Sequence, residues 1–257
     1  MSAMDLGLND RVFVVTGGSK GLGRAGADAL VAEGARVVLC ARHEDALGAA
    51  AHALGGADHA IAVPGDLNDP SLGERLAAAA VGRWGRLDGA LVSVGGPPPG
   101  PALSLTDEVW RSSFESVFLG PVRIARAVVS AIGKEGGALA FVLSLSVRQP
   151  VDGLASSNGL RPGLGMLAKT MSDELGSRGI RVLGLLPGRI DTDRLRELDK
   201  ASGRPKQQRE EFERRIPLHR YGDPAEFGRV AAFALSPAAS YLTGVMIPVD
   251  GGLGRGL

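Results

Sequence analysis

"RVFVVTGGSKGLGRAGADALVAEGA", residues 11–35, is the stretch whose reading decides the fold. It opens on an apolar run, turns through glycines at 17, 18, 21 and 23, and passes into an amphipathic stretch closed by Gly34. A short, continuously apolar run reads as a strand buried on both faces, and the stretch after it as a helix with a glycine stop. Between the two, Thr16, Gly17, Gly21 and Gly23 spell T-G-x-x-x-G-x-G. Glycines there permit the tight turn and let the backbone approach an anion, while the helix N-terminus points free N–H groups at it. With a strand before it and a helix after it, the loop reads as the pyrophosphate cradle of a dinucleotide, with Ser19, Lys20 and Leu22 inside it.

The same alternation continues along the chain. "RVVLCAR", "AIAVPGD", "GALVSVGG", "GALAFVLSLS", "IRVLGLLPG" and "GVMIPVDGG" repeat the strand signal, and amphipathic stretches separate most of them. One of these, from about Thr106 to Ile132, reads as a long helix. Continuously apolar strands separated by helices imply an α/β fold, a doubly wound parallel sheet with helices on both faces. No linker interrupts the pattern, so residues 1–257 read as a single domain. The least regular part, residues 191–223, contains "SGRPKQQ" and reads as a mobile excursion on the substrate side, beyond the carboxyl ends of strands.

Composition narrows the function classes. Twenty-nine basic and 28 acidic residues leave a net charge of +1, which gives no footing for a nucleic-acid or membrane surface. A single cysteine, Cys40, excludes an internal disulfide and favours a reducing compartment. The N-terminus has no basic region followed by an apolar one, and no apolar run spans a bilayer, so a cytoplasmic location is expected.

The end of the second strand selects among dinucleotides. An acidic residue there would bind a ribose 2′-hydroxyl and repel a 2′-phosphate. The sequence has Cys40-Ala41-Arg42 and no acid until Glu44. Arg42, with help from Lys20, can pair with a phosphate, which points to NADP(H).

At this point the chain resembles the short-chain dehydrogenase/reductase family, across essentially its whole length. The glycine loop is similar to that family's, and "GDL" at 65–67 to its adenine-side motif, with Asp66 and Leu67 as contacts. "LLPGRIDT" is similar to its segment after the sixth strand, which implies cofactor contacts at Pro187, Gly188, Ile190 and Thr192. Ser93 and Gly95 stand where the family has N-N-A-G after the fourth strand. The resemblance implies a Rossmann-type fold, a homo-oligomer (tetramer or dimer), and a carbonyl or alcohol as small-molecule substrate.

The family's Asn-Ser-Tyr-Lys set is where the chain departs. Registering on "MSDELGSRGIRV" puts Ser157 at the Tyr position, Arg161 at the Lys position, Ser144 at the Ser position and Val117 near the Asn position. Ser146 is a second candidate for the serine. Arg161 is then a cofactor contact as well as a catalytic candidate beside Ser144 and Ser157. A serine hydroxyl is a far weaker acid than a phenol, and an arginine stays protonated, so neither is a general acid near neutral pH. Arg161 can still bind ribose hydroxyls or stabilise an alkoxide. "SSNGLR" can equally be a helix cap. Pro162 suits a first helical turn, which would start the helix late and separate Ser157 from Arg161. Tyr221 and Tyr241 sit in motifs that read as structural; among the four histidines only His219 lies near the excursion. "GGPPPGP", 95–101, reads as a stiff wall of the substrate pocket.

The leading expectation is an NADP(H)-dependent ketone/alcohol oxidoreductase with an atypical active site. Its rivals are a dinucleotide-binding sensor or scaffold that has lost catalysis, and a non-redox lyase or isomerase.

Overall fold

The computed structural model describes residues 5–256. Seven strands form one parallel sheet in the order β3-β2-β1-β4-β5-β6-β7. They are β1 (Val12–Thr16), β2 (Arg36–Cys40), β3 (Ala60–Ala62), β4 (Gly89–Val92), β5 (Gly137–Val142), β6 (Ile180–Pro187) and β7 (Met246–Val249). Each falls within one of the apolar runs, and every neighbouring pair is parallel. The strand order reverses between β1 and β4, where the chain after one strand leaves for the opposite face from the chain after the other.

Side-chain alternation divides the core in two. Val12, Val14, Leu139 and Phe141 point to a layer built from α3 (Leu72–Trp84), α5 (Gly120–Ala131) and α6 (Ala155–Leu175). Phe13, Val15, Ala140 and Val142 point to the other, built from α1 (Gly21–Ala32), α2 (Glu44–Ala53) and α9 (Pro224–Leu235). Strands covered on both faces carry no room for polar side chains, so the polar chemistry is confined to the strand ends.

The expected helix from Thr106 to Ile132 is continuous, with α4 (Asp107–Phe114) running into α5 through a π-helical turn at Glu115–Leu119. Thr106 is its N-cap, the hydroxyl accepting from Val109 N at 3.4 Å. Val117 sits in the π turn and is buried.

Two local expectations are overturned. The helix carrying Ser157 and Arg161 does not start late: α6 begins at Ala155 and holds Pro162 in its interior. Its N-terminus is anchored from outside. Asn158 clamps the backbone of Val151 through both its side-chain atoms, at 3.0 and 2.9 Å, and Gly100 forms a β-bridge with Leu154. These tertiary contacts override the local preference set by the proline. Nor is "SSNGLR" a cap: the N-cap is Leu154, without a side-chain cap hydrogen bond.

Residues 191–223 are also more regular than their composition suggests. They hold α7 (Asp193–Ala201), capped by Thr192, and α8 (Pro205–Arg215), which begins on a proline. Arg196 and Arg209 both reach Asp191, at 2.8 and 3.1 Å. Asp199, buried, accepts from Arg189 at 2.9 Å, Tyr221 at 3.1 Å and Gln208 at 3.3 Å. Among the described residues no helix is long and apolar enough to cross a membrane.

Candidate active site

The carboxyl ends of β1 and β4 are joined through Thr16. Its buried hydroxyl donates to Ser93 O at 2.7 Å and accepts from Ser93 N at 2.8 Å. Gly17 follows with φ +62, and a Cβ there would lie 3.1 Å from Ser93 O. A Cβ on Gly23 would come within 2.5 Å of Gly17 O, so only glycine lets α1 start this close beneath the loop. Lys20, the α1 N-cap, makes no side-chain cap, which leaves the first-turn N–H groups to an outside anion. On the open side, Gly21 and Gly95 have nothing closer than 3.9 Å to a Cβ.

The adenine side is assembled by backbone contacts. Gly18 N donates to Cys40 O and Gly65 N to Ala41 O, bringing the glycine loop, the end of β2 and the "GDL" turn together. Asp66 accepts from Asn68 N at 2.9 Å, and Leu67 lies against Gly120. Lys20 and Arg42 are exposed, and neither is in an ion pair among the described residues. The Cys40 thiol, pushed up to about 12 by burial, is inert at neutral pH.

A cavity of about 160 Å³ opens beside this edge. One side is made by Leu22, Pro187, Gly188, Ile190 and Thr192. Opposite stand Ser144, Ser157 and Arg161, brought together from the end of β5 and the first turns of α6. Gly96 and Pro97 form a wall, so part of the proline-rich turn lines the pocket as its stiffness suggests. Arg194, Leu195 and Leu198 of α7 close the top. Thr16, Ser19, Lys20, Arg42, Asp66 and Ser93 are not in this lining; they belong to the neighbouring strand ends.

The three catalytic candidates differ in their surroundings. Ser144 is half-buried, and its hydroxyl accepts from Ser146 N at 3.1 Å, capping a short 3₁₀ turn. Ser146 lies behind the wall, buried, with its hydroxyl 3.1 Å from that of Ser157. Ser157 therefore faces the cavity with Ser146 as its partner, and Ser144 is the other cavity hydroxyl.

Arg161 is 5% exposed, and its only hydrogen bond among the described residues runs from Nη1 to Val142 O at 2.7 Å. Among the described residues no carboxylate pairs with it. Burial pushes its guanidinium down to about 10, which still leaves it charged at neutral pH. An unpaired ion taken out of water carries a penalty on the order of several kcal/mol. Arg181 shows the contrast. It is pushed down to about 10 for the same reason, yet it donates to three carbonyls, of Ala234, Leu242 and Ser236.

The other titratable candidates fall away. Tyr221 is absent from the cavity, bonded to Asp199, and pushed up to about 12 chiefly by burial. Tyr241 is fully exposed. His219, at φ +53, is exposed and faces Glu213 O rather than the cavity.

Residues 17–254 match the family model described as "Enoyl-(Acyl carrier protein) reductase". The chain belongs to the short-chain dehydrogenase/reductase family. It is 32% identical to the L-rhamnose 1-dehydrogenase (NAD(P)(+)) of Azotobacter vinelandii, over 96% of this chain and 97% of that enzyme. It is 33% identical to the levodione reductase of Leifsonia aquatica, over 95% and 94%. The L-sorbose reductase of Gluconobacter frateurii, solved with NADPH and L-sorbose, superposes with a TM-score of 0.93 at 29% identity, over 99% of this chain and all of that one. The superposition takes in the whole seven-stranded sheet.

Arg194, the α7 leucines, Leu143 and Leu154 are the site residues that sequence reading missed; those of α7 could have been found. Their signal was present: Thr192 three residues before Leu195, then Leu198, is a cap followed by helical spacing. Thr16→Val keeps the volume at the strand end but leaves Ser93 N–H and C=O unpaired in the interior. It should cost about 1–3 kcal/mol of stability, read as a lowered melting temperature. NADPH affinity by calorimetry should fall with it.

Proposed function

We propose that the protein is an NADP(H)-dependent oxidoreductase interconverting a ketone and an alcohol on a small or medium organic substrate, through an active site without the family's usual Tyr-x-x-x-Lys pair. The observation that carries this reading is one cavity bounded by the cofactor-side segment 187–192 on one side and by Ser144, Ser157 and Arg161 on the other. The whole chain acts as a single dinucleotide-binding domain, with 191–223 the element over the substrate.

The residues fit the cofactor. Gly17, Gly21 and Gly23, with Thr16, Ser19 and Leu22, hold the pyrophosphate; Asp66 and Leu67 flank the adenine; Ser93, Gly95, Pro187, Gly188, Ile190 and Thr192 border the nicotinamide end. Lys20 and Arg42, exposed and without carboxylate partners, take the 2′-phosphate. The bound nicotinamide supplies the hydride. Arg42→Ala should erase most of the preference for NADPH over NADH in calorimetric titrations; equal affinities in the unaltered protein would refute the cofactor assignment.

Ser144 and Ser157 donate hydrogen bonds to the substrate oxygen, and Arg161 holds the cofactor or that oxygen with a permanent charge. No side chain on this wall exchanges a proton near neutral pH, so water relays it. Loss of a positioned acid costs about 10²–10⁴-fold in rate, and slow turnover is expected. Ser157→Ala should lower kcat only severalfold, with kcat flat between about pH 6 and 9. Abolished turnover with unchanged cofactor affinity would put Ser157 in the chemistry instead. An absence of NADPH oxidation with any ketone would favour a binding protein.

Homo-oligomerisation, as dimer or tetramer, is supported by apolar side chains left open on the surface. Phe114 stacks on Phe118 and remains exposed, and Met166 on α6 is 70% exposed. Exposed apolar groups of this kind mark association faces. Light scattering at micromolar concentration should give a multiple of the 26.5 kDa chain mass. A location in the cytoplasm is consistent with the lone, buried cysteine.

A further inference from the structure

Among the described residues, Arg161 is the least satisfied charged group in the interior. Of the five N–H donors of its guanidinium, one has a protein acceptor, the carbonyl of Val142 at the end of β5. It is 5% exposed, so bulk water answers little of its charge, and no Asp or Glu lines the cavity it faces. The second cation there, Arg194, is different. It is held to Pro97 O at 2.9 Å, lies 3.9 Å from Glu197, and is 40% exposed.

The rest of the lining complements an anion with an apolar body. Ser144 and Ser157 present hydroxyls next to Arg161, while Leu143, Leu154 and Pro97 supply apolar surface. The glycine loop, with the uncapped start of α1, already provides for a pyrophosphate at a different strand end. The cofactor's phosphates therefore have their own place, and Arg161 still faces a cavity with no negative charge.

We propose that the substrate is a keto or hydroxy acid whose carboxylate is held by Arg161, while Ser144 and Ser157 hold the neighbouring oxygen that reacts and the apolar wall lies against its hydrocarbon part. The flat, forked guanidinium matches a planar carboxylate through two parallel N–H bonds. The small cavity and its few other donors suit that group better than a phosphate dianion. This rests on the reading of the cavity as the substrate site of an oxidoreductase, names the class of substrate that the reading leaves open, and gives Arg161 to the substrate's carboxylate rather than to the cofactor or the reacting oxygen.

The test is calorimetric titration of hexanoate, hexanamide and hexyl phosphate into the full-length protein, with and without saturating NADPH, at constant ionic strength. The expected result is hexanoate at least tenfold tighter than hexanamide in one or both forms. The preference should collapse to within twofold in Arg161→Met, be reduced but present in Arg161→Lys, and persist in Arg194→Ala. Equal binding of acid and amide in both forms overturns the proposal. So does a preference that survives in folded Arg161→Met, or one lost in Arg194→Ala alone. Hexyl phosphate binding more tightly than hexanoate, in an Arg161-dependent way, overturns the carboxylate in favour of a phosphate. Circular dichroism checks each variant. If Arg161→Met does not fold, an undiminished preference in Arg161→Lys overturns the proposal in its place, and a reduced one supports it. Failure of NADPH to bind would count against the oxidoreductase reading alone, because the titrations without cofactor still decide whether Arg161 selects a carboxylate.

Discussion

The arrangement at the carboxyl edge of the sheet depends on the hydroxyl of Thr16. β1 and β4 are neighbours, yet the chain after β1 enters a helix packed on one face and the chain after β4 goes to the other. Diverging connections open a crevice at that point, and divergence alone would leave the backbone groups at its floor unpaired. Thr16 closes the floor by giving one hydrogen bond to Ser93 and taking another from it. The glycine loop then rises from a fixed base, and the start of α1 sits where an anion can meet it.

A second constraint governs the other wall. α6 has to carry a proline in its interior and still present Ser157 and Arg161 on one face. It does so because its first turn is fastened to the segments that precede it, by Asn158 on Val151, Ser156 on Pro98 and the bridge from Gly100 to Leu154. Those same contacts draw the proline-rich turn against the cavity. Stiffness of that turn and placement of the site are thus one structural fact. Arg161 lies below the surface with most of its donors unused, an arrangement that costs stability and that a stability argument alone does not account for.

The roof of the cavity is held by charge as well as by a small apolar cluster of Leu195, Ile216 and Tyr221. Asp199 gathers Arg189, Tyr221 and Gln208, and Arg189 lies with its guanidinium carbon 3.4 Å from the centre of the Phe212 ring. Burial disfavours the charged form of Arg189, and contacts with Tyr221 and Asp199 offset part of this. The network joins α7 and α8 to the chain leaving β6, so that the position of Arg194 over the cavity is coupled to the end of the strand beneath it.

The sequence by itself determined the sheet and the cofactor edge. Seven apolar runs, the glycine spacing at 17, 21 and 23, and the missing acid after Cys40 are local signals, set by periodicity and by the steric demands of a tight turn. The helix from Thr106 was legible for the same reason, through its spacing. The site wall was legible only in part. Ser144, Ser157 and Arg161 could be placed by resemblance, but proline chemistry at 162 argued for a late helix, and composition argued for an irregular 191–223. Tertiary structure decided both points against the local preference, because the contacts that start α6 and stiffen α7 and α8 come from residues outside the turns they hold. It also decided that Ser146 backs Ser157 while Ser144 faces the cavity, and that Arg161 is buried with no counter-ion among the described residues. Burial and pairing are properties of everything that surrounds a side chain, and a linear pattern carries no record of what will surround it.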